Sequence, residues 1–349
     1  MTAPDVLGRV RRELEGITVR AVNGFSHLSG QALGEVAATT KSPVWSRDNV
    51  VLHRYSGTAA TRGPVLLVMS LATRPTIFDL SPDSSLVGDL LRAGHDVFLL
   101  DWGVPTAVDA HNTLETYCDD YLPRAISRVA DLTGDDVTVL GYCLGGVLAL
   151  LAAAGNQDLP IAKLVCLASP VDFSHLGPMA KLLERGRLEA HEILDVTGNV
   201  PASVMLEGFR LTHPTNFLAR YANLWQSLAH RRSLASYQAV IGWSSSHIPF
   251  PGGVLTQIVD LFLRRRALLD GTVPLGGRDV QLGEIRCPVL HVVGDKDNLV
   301  PAACTAPFAD ALEGADVTVL ELPAGHAGLL LGSQARRDFV PRILAWIAA

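Results

Sequence analysis

Cysteine is scarce in this chain, and the few present do not pair. Cys118, Cys143, Cys166, Cys287 and Cys304 are scattered, and no two stand in C-x-x-C spacing. That excludes a disulfide framework and leaves a zinc site without support. Their odd number, with a polar Met1–Glu15 stretch instead of an apolar leader, points to a reducing, cytoplasmic setting. Charge is sparse too, at 18% of residues with a net of −6. Nucleic acid is therefore not an expected partner, and Arg264-Arg265-Arg266 reads as a solvated helix face. There is no internal repeat, no low-complexity tract and no phosphate loop, because no Lys-Ser/Thr follows the glycine-rich turn. No metal or retained cofactor is expected. Only Val137–Gly155 is apolar enough to imitate a membrane span. Its glycines, its tyrosine and its marginal length favour a buried strand feeding a buried helix.

Apolar residues make up 48% of the 349, enough for one large α/β core or two small ones. Apolar runs alternate with helical patterns, the signature of a mostly parallel sheet covered by helices. Val65–Met69, Asp96–Leu100, Val137–Leu140, Lys163–Ala168, Pro288–Val293 and Val317–Leu322 read as strands. Most are apolar on both sides, as strands buried on both faces should be. Residues 44–55 alternate and suit one or two antiparallel edge strands. Ser85–Ala93 and Leu114–Leu132 read as helices. Between Asp172 and Glu284 the strand rhythm stops, and a structureless loop of that length is implausible. The expected organisation is an N-terminal helical segment over 1–40, a first core part over 41–171, a helical lid or cap insertion over 172–284, and a second core part over 285–349.

The densest chemical signal is Gly141-Tyr142-Cys143-Leu144-Gly145-Gly146, set between an apolar strand and an apolar helix. This is the context of the G-x-S-x-G nucleophile elbow of α/β-hydrolases, with sulfur in place of oxygen. A thiolate is both a good nucleophile and a good leaving group, which suits acyl exchange with thioesters. Such a nucleophile needs a base, and the base an orienting acid, in the chain order nucleophile, acid, histidine. Downstream, one strand runs into Gly294-Asp295-Lys296-Asp297 and the last into Gly325-His326. Asp295 and Asp297 both qualify as the acid. Asp297 is favoured for its place before the apolar pair Leu299-Val300, with Asp295 capping the turn through its side chain. Backbone amides of Leu144 and, in the loop after the Val65–Met69 strand, Ala72 are the candidate oxyanion donors. The other four cysteines read as structural. His291, inside an apolar strand, reads as a satisfied core histidine, and His53, His111, His213 and His247 carry no catalytic context.

The ordered set of motifs resembles polyhydroxyalkanoate synthases, whose lipase-like box has cysteine for serine. The resemblance rests on that box and on Leu71-Ala-Thr-Arg-Pro75, Asp101-Trp102-Gly103 with Pro105, and Ser169-Pro-Val-Asp-Phe173. Trp243, Gly276-Gly-Arg278, Asp297-Asn-Leu-Val-Pro301 and Gly325-His326 extend it, so that it runs from about residue 60 onward. Lacking a long N-terminal extension, the chain is most similar to the class III catalytic subunit. The resemblance implies Cys143 as nucleophile, His326 as base and Asp297 as the third member. It implies a 3-hydroxyacyl-coenzyme A substrate, with coenzyme A as carrier and not as retained cofactor. A polyester product, a granule surface, a second synthase subunit and a homodimer are implied as well. Asn298 stands where the family often has histidine, Thr73 where asparagine is common, and Ser244-Ser-Ser-His247 replaces a more acidic stretch. A cysteine thioesterase, esterase or lactonase using the same triad with water is the rival within this fold. An inert binding subunit is the non-enzymatic alternative.

Overall fold

The computed structural model describes residues 39–57, 60–82, 84–211, 242–243 and 246–349. The segment expected over 1–40 therefore lies, apart from its last two residues, outside the described residues. An eight-stranded sheet forms the frame. Its strands are β1 (Lys41–Arg47), β2 (Val50–Tyr55), β3 (Arg62–Val68), β4 (His95–Asp101), β5 (Val137–Tyr142), β6 (Ile161–Leu167), β7 (Val289–Gly294) and β8 (Val317–Leu322). Their spatial order is β1-β2-β4-β3-β5-β6-β7-β8. β1 and β2 join antiparallel at one edge, and β2 meets β4 antiparallel. Every pairing from β4 to β8 is parallel.

The burial of each strand follows its place. Val65–Val68 of β3, Val137–Tyr142 of β5 and Val289–Gly294 of β7 are buried throughout, as strands covered on both faces must be. β8 closes the sheet and is largely exposed, with Val319 at 55%. One apolar cluster carries the inner helices; the other takes the opposite face and the C-terminal helix Val340–Ala348. Helix α1 (Leu86–Arg92) starts on Ser85, whose hydroxyl accepts from the Gly88 N–H at 2.8 Å.

The helix expected over Leu114–Leu132 exists, but it is not uniform. Thr116–Tyr121 is a π turn, and the α-helix α2 (Leu122–Thr133) follows it. Pro123, in the first turn of α2, has no N–H to give the preceding turn, and the helix widens there. After β5, α3 (Leu144–Gly155) is apolar on all sides, and eleven of its residues are buried. Among the described residues no helix is long and apolar enough to cross a membrane.

The interval between β6 and β7 contains helices at Pro178–Glu184 and Ala202–Leu211, and a third, Gly252–Gln257, that runs on as a π turn over Ile258–Arg264. It also holds two short antiparallel pairs absent from the sequence reading: Asn199–Val200 with Phe250–Pro251, and Thr272–Leu275 with Arg278–Gln281. The second is a hairpin turned by Gly276 and Gly277, with φ of 58° and 78°. Two consecutive residues in that region favour a tight twisted turn. The hairpin is pinned to the helix before α3: the Gly276 N–H donates to Glu115 Oε1 at 3.0 Å, and Arg278 pairs with Asp119 at 2.7 Å. Arg266 donates to Asp172 at 2.8 Å, fastening the insertion to the exit of β6.

Candidate active site

The elbow is a steric necessity. Val68 at the end of β3 pairs with Gly141 of β5, so the start of α3 crosses close over β3. A Cβ on Gly145 would lie 2.3 Å from the Val68 carbonyl oxygen, and one on Gly146 would lie 2.0 Å from Ser169 Oγ. Only hydrogen fits at either place. The compressed turn puts Cys143 between strand and helix at φ 56°, ψ −124°. That region is unfavourable for a residue with a Cβ, at about 1–3 kcal/mol, and it is held here by the surrounding packing. The Cys143 N–H donates to the Leu167 carbonyl at 2.8 Å, and the Gly146 N–H donates to the Cys143 carbonyl at 3.0 Å. Cys143 is half-buried, whereas Cys118, Cys166 and Cys304 are buried. Burial pushes the Cys304 thiol up to about 12 and the Cys287 thiol up to about 11. Cys118 and Cys166 are raised by the same cause. None of the four is set up as a nucleophile.

Two loops at the same end of the sheet bring the partners. His326 follows β8, and its Nδ1 lies 2.7 Å from Asp297 Oδ2. The Asp297 side chain is fully buried and that of His326 is 11% exposed. Asp297 Oδ1 accepts from the Leu299 and Val300 N–H groups at 2.9 Å each, so both carboxylate oxygens are engaged. With Nδ1 on the carboxylate, the other ring nitrogen is left for the sulfur of Cys143, whose side chain acts on the imidazole. Burial pulls the imidazole down. The bond to Asp297 and the interaction with Cys143, with their charges, outweigh it and raise His326 from 6.5 to about 10. The two aspartates are thereby distinguished by position. Asp295 is exposed; its N–H extends the β7–β8 pairing to the Leu322 carbonyl at 3.0 Å, and the turn is closed by the Asp297 N–H on the Gly294 carbonyl at 3.2 Å instead of by the side-chain cap expected from the sequence.

Tyr142, given no role at the site by the sequence reading, completes the cluster. Its hydroxyl donates to the His326 carbonyl at 3.1 Å, and its ring centroid lies 4.8 Å from that of the imidazole. Phe78 meets it edge-on at 6.3 Å. Burial raises the phenol well above its ordinary value, so it remains a donor. The position before the cysteine in G-x-C-x-G accepts any residue, and the sequence held no signal for this contact.

The loop after β3 is anchored from three sides. Trp102 Nε1 donates to the Met69 carbonyl at 2.8 Å. The Ile248 N–H donates to the Ala72 carbonyl at 3.2 Å, and Trp243 Nε1 donates to the Arg74 carbonyl at 3.1 Å. Of the two candidate oxyanion amides, that of Leu144 opens α3, and that of Ala72 donates to Ser70 Oγ at 3.3 Å. His291 is buried and stacked on Phe308 with centroids 3.7 Å apart; burial lowers it to about 3. The expectation of full satisfaction fails for it. The backbone of Ser169 serves one nitrogen, while Nε2 is buried with no hydrogen-bond partner among the described residues. His213 lies outside the described residues.

Two measurements test this geometry. Gly146→Ala should lower the melting temperature, because the new methyl overlaps Ser169 at a cost of about 1–3 kcal/mol. The raised His326 value has a defined sign in stability. Its contribution is fully present below pH 6.5 and is lost as pH rises through about 10. The melting-temperature advantage of the native chain over Asp297→Asn should therefore be widest near pH 6 and shrink towards pH 10.

Comparison with known proteins accords with this arrangement. Residues 64–333 match the family described as alpha/beta hydrolase fold. The chain is 30% identical to the poly(3-hydroxyalkanoate) polymerase subunit PhaC of Haloarcula marismortui, over 89% of this chain and 68% of that one. It is 31% identical to the PhaC subunit of Haloferax mediterranei, over 90% of this chain, and spans 64% of that protein's length. With the PhaC subunit of Allochromatium vinosum the identity is 28%, over 97% of each chain. Among solved structures, a monoacylglycerol lipase from Paleococcus ferrophilus superposes with a TM-score of 0.53 at 19% identity, covering 85% of this chain and 98% of the lipase. That likeness concerns the fold. The chain belongs to the alpha/beta-hydrolase fold and, within it, to the poly(3-hydroxyalkanoate) polymerase family.

Proposed function

We propose that this chain is an acyltransferase that polymerises 3-hydroxyacyl-coenzyme A into polyester and releases coenzyme A. The observation that carries the reading is the buried Asp297–His326 hydrogen bond, with Cys143 on the elbow acting on the same imidazole. Asp297 holds Nδ1–H, which fixes the tautomer and stabilises the imidazolium. His326 takes the Cys143 proton, and the thiolate attacks the thioester carbonyl carbon. The oxyanion accepts from the Leu144 amide, and from the Ala72 amide as it leaves the long bond to Ser70. The tetrahedral adduct collapses, the C–S bond to coenzyme A breaks, and His326 returns the proton to the departing sulfur. This leaves an acyl-Cys143 thioester. A hydroxyl from a second monomer or from the growing chain then gives its proton to His326 and attacks that carbonyl. An ester forms and Cys143 is freed.

The insertion touches the loop that carries Ala72, and a dry site favours a substrate hydroxyl over water as acceptor. The relatives are named as subunits, which supports a second subunit for this chain as well. A homodimer and attachment to the polyester surface belong to the same reading.

With 3-hydroxybutyryl-coenzyme A the native chain should release thiol and form insoluble polyester. Cys143→Ala should lower coenzyme A release by roughly 10⁴-fold or more. Continued release by that variant, or soluble 3-hydroxybutyrate as the sole product, would sink the polymerase reading. Tyr142→Phe leaves the ring and removes one hydrogen bond to the loop of the base. It should slow acylation roughly 2- to 10-fold while KM holds, measured by single-turnover coenzyme A release.

A further inference from the structure

Where the insertion meets the loop after β3, two polar atoms are buried without partners. Thr73 and His247 form an isolated antiparallel bridge, so their side chains leave the paired backbones side by side. Thr73 is 8% exposed, and its Oγ1 has no hydrogen-bond partner among the described residues. His247 is half-buried, and its Nδ1 is likewise buried and unpartnered. Phe209 packs its ring 4.7 Å from the imidazole centroid and fixes the plane of the ring. Burial, with the Arg210 charge adding to it, holds His247 below its ordinary value and keeps the ring neutral.

Two neighbouring orphan groups of this kind are rare in a folded chain, because each is desolvated without recompense. The chain connects them to the proposed centre: Thr73 follows the candidate oxyanion residue Ala72 directly, and β3, from which the loop emerges, is paired with the strand that leads into Cys143. A threonine hydroxyl can donate or accept, and a neutral imidazole nitrogen can do either according to its tautomer. The group that satisfies both at once is a single hydroxyl, donating to one and accepting from the other.

We propose that Thr73 Oγ1 and His247 Nδ1 are the recognition point for the 3-hydroxyl of the acyl thioester. The inference rests on the acyltransferase reading above and adds to it the two side chains that distinguish a hydroxyacyl from a plain acyl substrate. A site built to bond a hydroxyl rejects the analogue lacking it, because its own groups are then left unpaired.

The test compares single-turnover coenzyme A release from 3-hydroxybutyryl-coenzyme A and from butyryl-coenzyme A, separated chromatographically. The native chain should prefer the hydroxylated substrate. In Thr73→Val and in His247→Leu the ratio of the two kcat/KM values should fall roughly 5- to 100-fold. Thr73→Ser, which keeps the hydroxyl, should retain most of the ratio, and a native melting temperature for each variant separates recognition from misfolding. Equal losses on both substrates would mean a role towards the shared pantetheine arm or in packing, and would overturn the proposal, as would an unchanged ratio. Absence of coenzyme A release by the native chain from either substrate would instead bring down the acyltransferase reading itself.

Discussion

The close approach of α3 to β3 is the constraint on which the site depends. Strand and helix can meet there only because Gly145 faces the Val68 carbonyl and Gly146 faces Ser169 without side chains. The turn so formed has one residue to spare, and it is forced into a positive-φ conformation that lifts its side chain out of both elements. Cys143 is thus presented by packing and not by its own preferences. The local strain is offset by a central strand and a helix that are buried almost throughout.

Electrostatics then selects among the residues that the fold collects. Asp297 is buried yet fully bonded, by two amides on one oxygen and by His326 on the other. A buried carboxylate with both oxygens hydrogen-bonded is tolerable where an unpaired one would not be. Burial alone would push the imidazole towards neutrality, as it does at His291, where no carboxylate stands opposite. At His326 the carboxylate and the sulfur reverse the sign. The same residue type, once inside the sheet and once in a loop that leaves it, therefore has opposite charge preferences because of its partners.

Much of this was legible in the sequence. Strands buried on both faces announce themselves as apolar runs, and β3 to β8 were read within two or three residues. The elbow glycines and the two late loops carried the pairing of His326 with Asp297, because the chain order of the fold leaves few choices. The hairpin over 272–281 escaped, since strands of four residues with alternate positions exposed give no run to detect. The π turn before α2 escaped because a proline early in a helix reads as an ordinary start. Tyr142 on the His326 carbonyl, and the Ala72–Ile248 and Thr73–His247 ties, join residues more than 170 positions apart. Such contacts are products of topology, and no local pattern encodes them.

The three partners do not hang from equally secure supports. The sulfur rides on β5, which has strands on either side, while the imidazole follows β8, which has β7 on one flank and is largely exposed. Backbone opening begins where neighbours are fewest. If Cys143 and His326 carry the acyl transfer proposed above, fraying at that margin withdraws the ring while the thiol stays cradled in an intact interior, and activity is lost at a lower threshold than the fold. The molecule can thus fall silent, and recover, without ever exposing its core.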